Sequence, residues 1–288
     1  MVVEKPVAVS HQEFQKAIEA SQKSRKLLIP FQSESHWARC YVRARLTKGR
    51  RYDSDMQTLQ KLLESEAMGE ITDAEIHYDL DLPSWMAGMT DPGWKPGEGM
   101  NFGIGCHSLD QALHLFGKPK SVTAFYRTLR GVKSETEDTF HMILQYADKP
   151  LIVHVKTHVV SKMRQPLKYF IRGNKGTYIK FGDDQQEHQI MSGMKYGDEG
   201  FGEEPEEIWG ELQTVDKVLD SQENKGEYWV GKVKPENRGI WQYYEDVYRA
   251  VRGEIGPVVK AETSLWGIRV IELARESATK GVTLPFDL

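Results

Sequence analysis

Two residues stand where proton chemistry could occur. His107 closes the stretch Gly103-Ile104-Gly105-Cys106-His107. An imidazole titrates near neutral pH, so it can take a proton from a hydroxyl or give one to a carbonyl. Asp110 lies three residues on, which on a helix turns both side chains the same way. Two roles are open for its carboxylate, orienting the imidazole or capping the helix. The plain alternative for His107 is a packed histidine without chemistry. Lys5, the second candidate, stands between Glu4 and Pro6 after the apolar pair Val2-Val3. Strand ends facing a crevice are where α/β proteins hold ligands. A desolvated lysine there can donate to a substrate hydroxyl or carbonyl. Its plain alternative is a surface ion pair with Glu4.

Familiar signatures of other chemistries are missing. The sequence has no G-x-G-x-x-G ahead of a helix, no P-loop, no H-E-x-x-H and no G-x-S-x-G. The remaining histidines show no metal-ligand spacing, and no metal is expected. His154 and His158, with Lys156 between them, share one face of an expected strand and are read as sheet-surface or packing residues. Cys40 and Cys106 form neither a metal pattern nor a disulfide framework, so a reducing cytosol is the default expectation. A net charge of −4 over 288 residues gives no footprint for nucleic acid or a membrane surface.

These residues need elements to hold them. Ser10 and Glu13 make an S-x-x-E capping box for a first helix with Phe14, Ala17 and Ile18 inward. "LLIPF" (27–31) reads as a buried strand, which completes a β-α-β unit. Residues 33–51 carry six basic residues from Arg39 to Arg51 and one acid, Glu34. They read as a solvated basic loop, with a phosphate patch and a functionless insertion as alternatives. Ser54 is the expected cap of a second helix, with Gln57 as its box partner and Gly69 as its stop. Residues 72–82 alternate as a strand whose inward set is Thr72, Ala74, Ile76, Tyr78, Leu80 and Leu82.

The stretch 83–104 is rich in Gly, Pro, Met and Trp, and loops of this length are often functional. Trp94 of this loop, together with Asp110, is taken as substrate-binding. A helix over 107–116 follows, with Leu109, Leu113 and Phe116 inward. Strands near 121–130, 138–147, 150–160, 167–173 and 176–181 suggest an antiparallel meander. Residues 183–239 read as a surface excursion. Two helices close the chain, one carrying Trp241, Tyr244, Val247 and Tyr248, the other Leu265, Ile268, Ile271, Ala274 and Ala278. The fold class is α/β followed by α+β, a large open, mainly antiparallel sheet with helices on one face.

Taken in order, "VVEKPVAVSHQEF", "YDSDMQTLQKLLESEAMGEI", "GCHSLDQALHLFGKPKSVTAFYR", "FIRGNKGTYIKFGDDQQE" and "YYEDVYRAVRG" resemble the glucose–fructose oxidoreductase/inositol dehydrogenase (Gfo/Idh/MocA) family. The resemblance implies an NAD- or NADP-dependent oxidoreductase of a sugar, polyol or related compound. It implies a Rossmann domain, then a substrate domain whose sheet often serves as a dimer surface. It makes Lys5 and His107 the catalytic pair, with Glu4, Lys5 and Pro6 beside the nicotinamide. Three departures follow. Residues 1–52 would be a remnant of the dinucleotide-binding domain, with 53–288 the substrate and oligomerisation domain. Residues 33–49 would be an atypical insertion. Gly103 stands where many members carry an aspartate. The expectation is impaired cofactor binding, or no bound cofactor for the chain as it stands. The alternative is a non-redox descendant, either a small-molecule-binding or regulatory protein or a cofactor-independent enzyme using the same pocket.

Overall fold

A computed structural model describes residues 2–4, 7–31, 50–236, 239 and 241–288. Lys5, Pro6 and the expected insertion 33–49 lie outside the described residues. Strand β1 (Val2–Glu4), helix α1 (His11–Ser24) and strand β2 (Ile29–Phe31) form the expected β-α-β unit. The two strands pair in parallel, Val2 opposite Ile29. The Ser10 hydroxyl accepts from the Glu13 amide at 3.3 Å, as the capping box predicts. Phe14 and Ile18, one turn apart, pack on Leu28, Leu265 and Ile268.

Arg50 and Arg51 end the basic stretch but are not solvated. Both are almost fully buried in a short 3₁₀ turn, Arg50–Tyr52. Arg50 donates to Asp53 at 3.2 Å, to the Tyr78 hydroxyl at 2.8 Å and to Glu187 at 3.1 Å. Composition suggested a wet loop; buried Asp110 and partly exposed Glu187, 59 and 137 residues away along the chain, decide otherwise. Helix α2 (Ser54–Glu64) also departs from expectation, its cap position being Asp53 rather than Ser54. Ser54 is instead inside the helix, its amide donating to Asp184 at 2.9 Å. The Gln57 side chain donates to the Arg51 carbonyl, so no capping box forms. A tertiary carboxylate thus satisfies the free N–H that a local cap would have served.

The main sheet is built from β3 (Ile71–His77), β4 (Ser121–Arg127), β5 (Thr139–Gln145), β6 (Ile152–Thr157), β7 (Leu167–Gly173), β8 (Gly176–Phe181), β9 (Glu211–Thr214), β10 (Glu223–Asn224), β11 (Trp229–Lys232) and β12 (Leu284–Pro285). Its order is β10-β11-β9-β8-β7-β3-β6-β5-β4-β12. The five strands of the expected meander are present, but β3 inserts between β6 and β7. It runs parallel to β6 and antiparallel to β7. Tight-turn signals fix neighbours only for short connections, and the 158–166 link is long enough to step over a strand. Leu82 does not point inward; it is exposed with φ 38°, beyond the strand's end. The expected excursion 183–239 instead contains helix α4 (Gln186–Met191) and three edge strands, too short to show a period.

Helices α3 (Cys106–Phe116), α5 (Trp241–Val251) and α6 (Ala261–Lys280) complete the fold. The core joins Leu59, Leu109, Leu113, Ile271 and Ala274 from the helices to Ala74, Ile76, Val122, Met142, Val153, Val155 and Ile171 of the sheet. On α5 the buried residues are Tyr243 and Ala250, while Tyr244 and Tyr248 are exposed. A helix with aromatics on both faces gives an ambiguous stripe, because a tyrosine ring tolerates a wet edge. The sheet's other face is polar and half-buried. His154 contacts His141 at 3.0 Å and Asp73 at 3.3 Å, and Lys156 pairs with Glu75. His154 therefore has the sheet-surface role its spacing suggested. No helix among the described residues is long and apolar enough to cross a membrane.

Candidate active site

The segment read as a loop up to residue 104 ends differently. Residues Asn101–Gly105 form a π-helical turn that runs straight into α3. π turns of this kind recur at functional sites. The turn is possible because Gly105 has no Cβ: one would lie 2.7 Å from Cζ of Phe140 and 2.8 Å from Oδ1 of Asn101. Gly105→Val should cost about 1–3 kcal/mol by overpacking, visible as a lowered thermal midpoint.

Directly beside this turn lies a cavity of about 520 Å³. Its walls are Val9 from the start of the chain, residues 88–91 and 96–99, and Phe102 and Gly103 of the π turn, with Arg130 and Thr136 behind. The wall is stitched to the 128–138 segment. Arg130 donates to the Met89 carbonyl at 2.9 Å and forms a buried ion pair with Asp138 at 3.0 Å. Thr136 Oγ1 donates to the Gly93 carbonyl, and Ser134 Oγ to that of Asp91. Of the two carboxylates on the wall, Asp91 pairs with the exposed Lys95 at 3.2 Å, and Glu98 accepts from the Lys95 amide at 3.2 Å.

His107 lies in the first turn of α3, four residues after the cavity-lining Gly103, and is 1% exposed. Asp110 neither caps the helix nor orients His107. It sits in the second turn, and its two oxygens accept from Nε and Nη2 of Arg51, both at 2.7 Å. The pair is buried on both sides. Its substrate-binding assignment therefore gives way to a structural one, since a bidentate guanidinium takes the carboxylate edge that a ligand would need. Trp94 holds the loop rather than facing the cavity. Its Nε1 donates to the Glu98 carbonyl at 3.2 Å, and the Arg275 guanidinium lies 4.0 Å from its ring centre. Arg275 in turn pairs with Glu137, whose carboxyl accepts from the Asn101 amide at 3.2 Å. Burial pushes the Glu137 carboxyl up to about 7, against the pull of Arg275. Arg51, Arg130, Glu137 and Arg275 all carry the site without any local sequence signal, since each partner is distant in the chain or set by the fold.

Residues 56–179 match the family model for the GFO/IDH/MocA C-terminal domain. The matched segment is of the Gfo/Idh/MocA family. The chain is 35% identical over 224 residues to the uncharacterized oxidoreductase C115.03 of Schizosaccharomyces pombe, covering 75% of this chain and 55% of that one. It is 30% identical over 242 residues to the scyllo-inositol 2-dehydrogenase (NADP(+)) IolW of Bacillus subtilis, covering 82% and 62%. The chain thus spans about half to two thirds of the length of these relatives. An oxidoreductase from Bacillus cereus shares the fold, with a TM-score of 0.82 at 21% identity, covering 100% of this chain and 73% of that one.

The Gfo/Idh/MocA resemblance implies a nicotinamide dinucleotide, and the described residues do not fit its pyrophosphate. The link from β1 to α1 offers Val7, Ala8, Val9 and Ser10, with no glycine for a close backbone approach. One of the free amides in the first turn of α1, that of Glu13, is already taken by the Ser10 hydroxyl.

Proposed function

We propose that this chain is the substrate-holding part of an NAD(P)-dependent oxidoreductase acting on a sugar or polyol. The observation that carries this reading is the cavity at Gly103, one turn ahead of His107 and walled on its other side by Val9, four residues after Lys5. Its lining suits hydroxyl groups: Asp91, Glu98 and several loop carbonyls can accept, while the only buried cation, Arg130, is neutralised by Asp138. In this reading His107 takes the hydroxyl proton as the carbonyl forms, or returns it in reduction, and Lys5 donates to the same oxygen. The relative IolW acts on an inositol with NADP(+), which supports a polyol and NADP. NAD remains the counterpart to compare. Homodimerisation through the polar sheet face is our expectation for assembly, to be measured by sedimentation.

A cofactor platform must come from elsewhere than the residues described. Tryptophan fluorescence titrated with NADH and NADPH tests this. We expect no saturation below millimolar cofactor for the chain as given; a micromolar dissociation constant would overturn that part of the reading. A second reading, a non-redox small-molecule-binding protein, is favoured by the missing cradle. Polyol binding with no turnover, even when a separate cofactor-binding domain is supplied, would select it.

Gly103 gives a further check. A Cβ there would meet only Sδ of Met100, at 3.9 Å, so a side chain can begin at this position without a close contact. Gly103→Asp should leave the thermal midpoint nearly unchanged. It should tighten polyol binding about tenfold through one charge-assisted hydrogen bond, read by calorimetry.

A further inference from the structure

Two histidines that are 13 residues apart in the chain meet on the polar face of the sheet. In the antiparallel register of β5 and β6, His154 stands opposite Ile143 and His141 opposite Lys156. The two histidines are therefore diagonal neighbours on one face, within reach of long side chains. His141 Nε2 touches His154 Nδ1 at 3.0 Å, with the ring centres 5.2 Å apart. From β3, the Asp73 carboxylate lies 3.3 Å from the other nitrogen of His154. That contact makes His154 Nε2 the donor and leaves Nδ1 with its lone pair toward His141. Metal-binding histidines are held in the same way, their outer N–H given to a carboxylate.

The surroundings suit a cation. Lys156 and Arg172, beside the pair, are each matched by an acid, Glu75 and Asp73. Burial and Lys156 hold the His141 imidazole down, to about 4, so near neutral pH an ion displaces no imidazolium proton there. A cavity of about 490 Å³ opens at His141, with His77, Arg127 and His158 also on its wall, and leaves room for water ligands. The rings are also spaced for one ion. Two imidazoles on a tetrahedral zinc, each nitrogen about 2.0–2.1 Å from it, have nitrogens about 3.3 Å and ring centres about 5.2 Å apart. A slight outward turn of each ring about its centre converts the observed contact into that arrangement. Among the described residues no group of three or more His, Cys, Asp or Glu is placed to hold a metal. The pair therefore supplies two ligands and water the others.

We propose that His141 and His154 are the two protein ligands of a divalent transition-metal site on the sheet face, with Asp73 orienting His154. Imidazole selects zinc, copper or nickel over magnesium or calcium. On binding, the proton that His141 Nε2 gives to the His154 contact moves to His141 Nδ1, and the ion takes its place. Both rings stay neutral and no proton is released.

Calorimetric titration with zinc(II) at neutral pH tests the site. We expect one ion per chain. Affinity should fall at least tenfold in His141→Ala and in His154→Ala, and about tenfold in Asp73→Asn, which removes the orienting carboxylate. It should be unchanged in His188→Ala, which removes an exposed histidine of α4. A second measurement needs no variant and serves if one fails to fold. Substoichiometric copper(II) should broaden the methyl signals of Ile143, opposite His154, well before that of Met89 at the other cavity. No zinc binding, equal affinity in all four variants, or broadening at Met89 as strong as at Ile143 would each overturn the proposal. Neither measurement involves cofactor or polyol, so both stand apart from the test of function.

Discussion

Asp110→Ala should cost about 3–5 kcal/mol of folding stability, read from urea denaturation at neutral pH. The loss exceeds that of an ordinary surface pair because the Arg51 guanidinium stays behind, buried and uncompensated. Among the described residues the His114 imidazole, at 3.3 Å, and the Val258 carbonyl, at 3.4 Å, remain as its side-chain partners. The Asp110 carboxylate cannot be replaced by water without opening the contact between the 50–52 turn and α3. Removing both charges together is the informative control. The double variant Arg51→Met, Asp110→Leu should recover most of the loss, because it leaves no stranded charge. Equal losses in the single and double variants would show that packing, rather than charge, holds this contact.

The second large effect is on pH. Glu204 is buried beside Lys180 at 2.9 Å, yet its carboxyl is pushed up to about 8. Desolvation is the main cause, and the nearby Asp55 and Asp184 add to it. Asp55 is itself fully buried, and its pKa is also raised, again chiefly by desolvation. An acid whose folded pKa is raised contributes its full stability only below its unfolded value. Between about pH 4.5 and about pH 8 the unfolded chain releases the proton while the folded chain keeps it. Stability should therefore fall by several kcal/mol across that window. Glu204→Gln should flatten much of the slope, and Asp55→Asn should raise stability at pH 8. Denaturation midpoints at about pH 5 and about pH 8 check this, and a flat profile in the unaltered chain would exclude it.

Much of this molecule is legible where the physics is local. The Ser10 box, the amphipathic α1 and α6, and the short turns of β5–β6 and β7–β8 all followed from spacing. The long-range choices did not. The place of β3 between β6 and β7 is fixed by two neighbours that no turn specifies. The burial of Arg50 and Arg51 depends on Asp110, Glu187 and Tyr78, which come from three other elements. The site divides the same way. His107 was singled out from the "GIGCH" block and Gly103 from the family resemblance, whereas Glu137 and Arg275 have no motif around them. Trp94 was singled out from its loop as substrate-binding, but the contact that holds it was not legible, because its cation partner Arg275 is 181 residues away (275 minus 94). Asp110 shows the opposite error: correct helical spacing from His107 did not bring the two together, since a guanidinium from another element outcompeted the imidazole.

The central claim is that the cavity walled by Val9, residues 88–91 and 96–99, and Gly103 holds a polyol. Methyl-labelled NMR tests it most directly, with signals from Val9, Met89 and Thr90 followed while scyllo-inositol is added. The account predicts saturable shifts at these three residues, lost in a variant that fills the space, Gly103→Trp. Shifts confined to the sheet face at Ile143 and Ile152, or no shift at any residue up to high millimolar inositol, would contradict it.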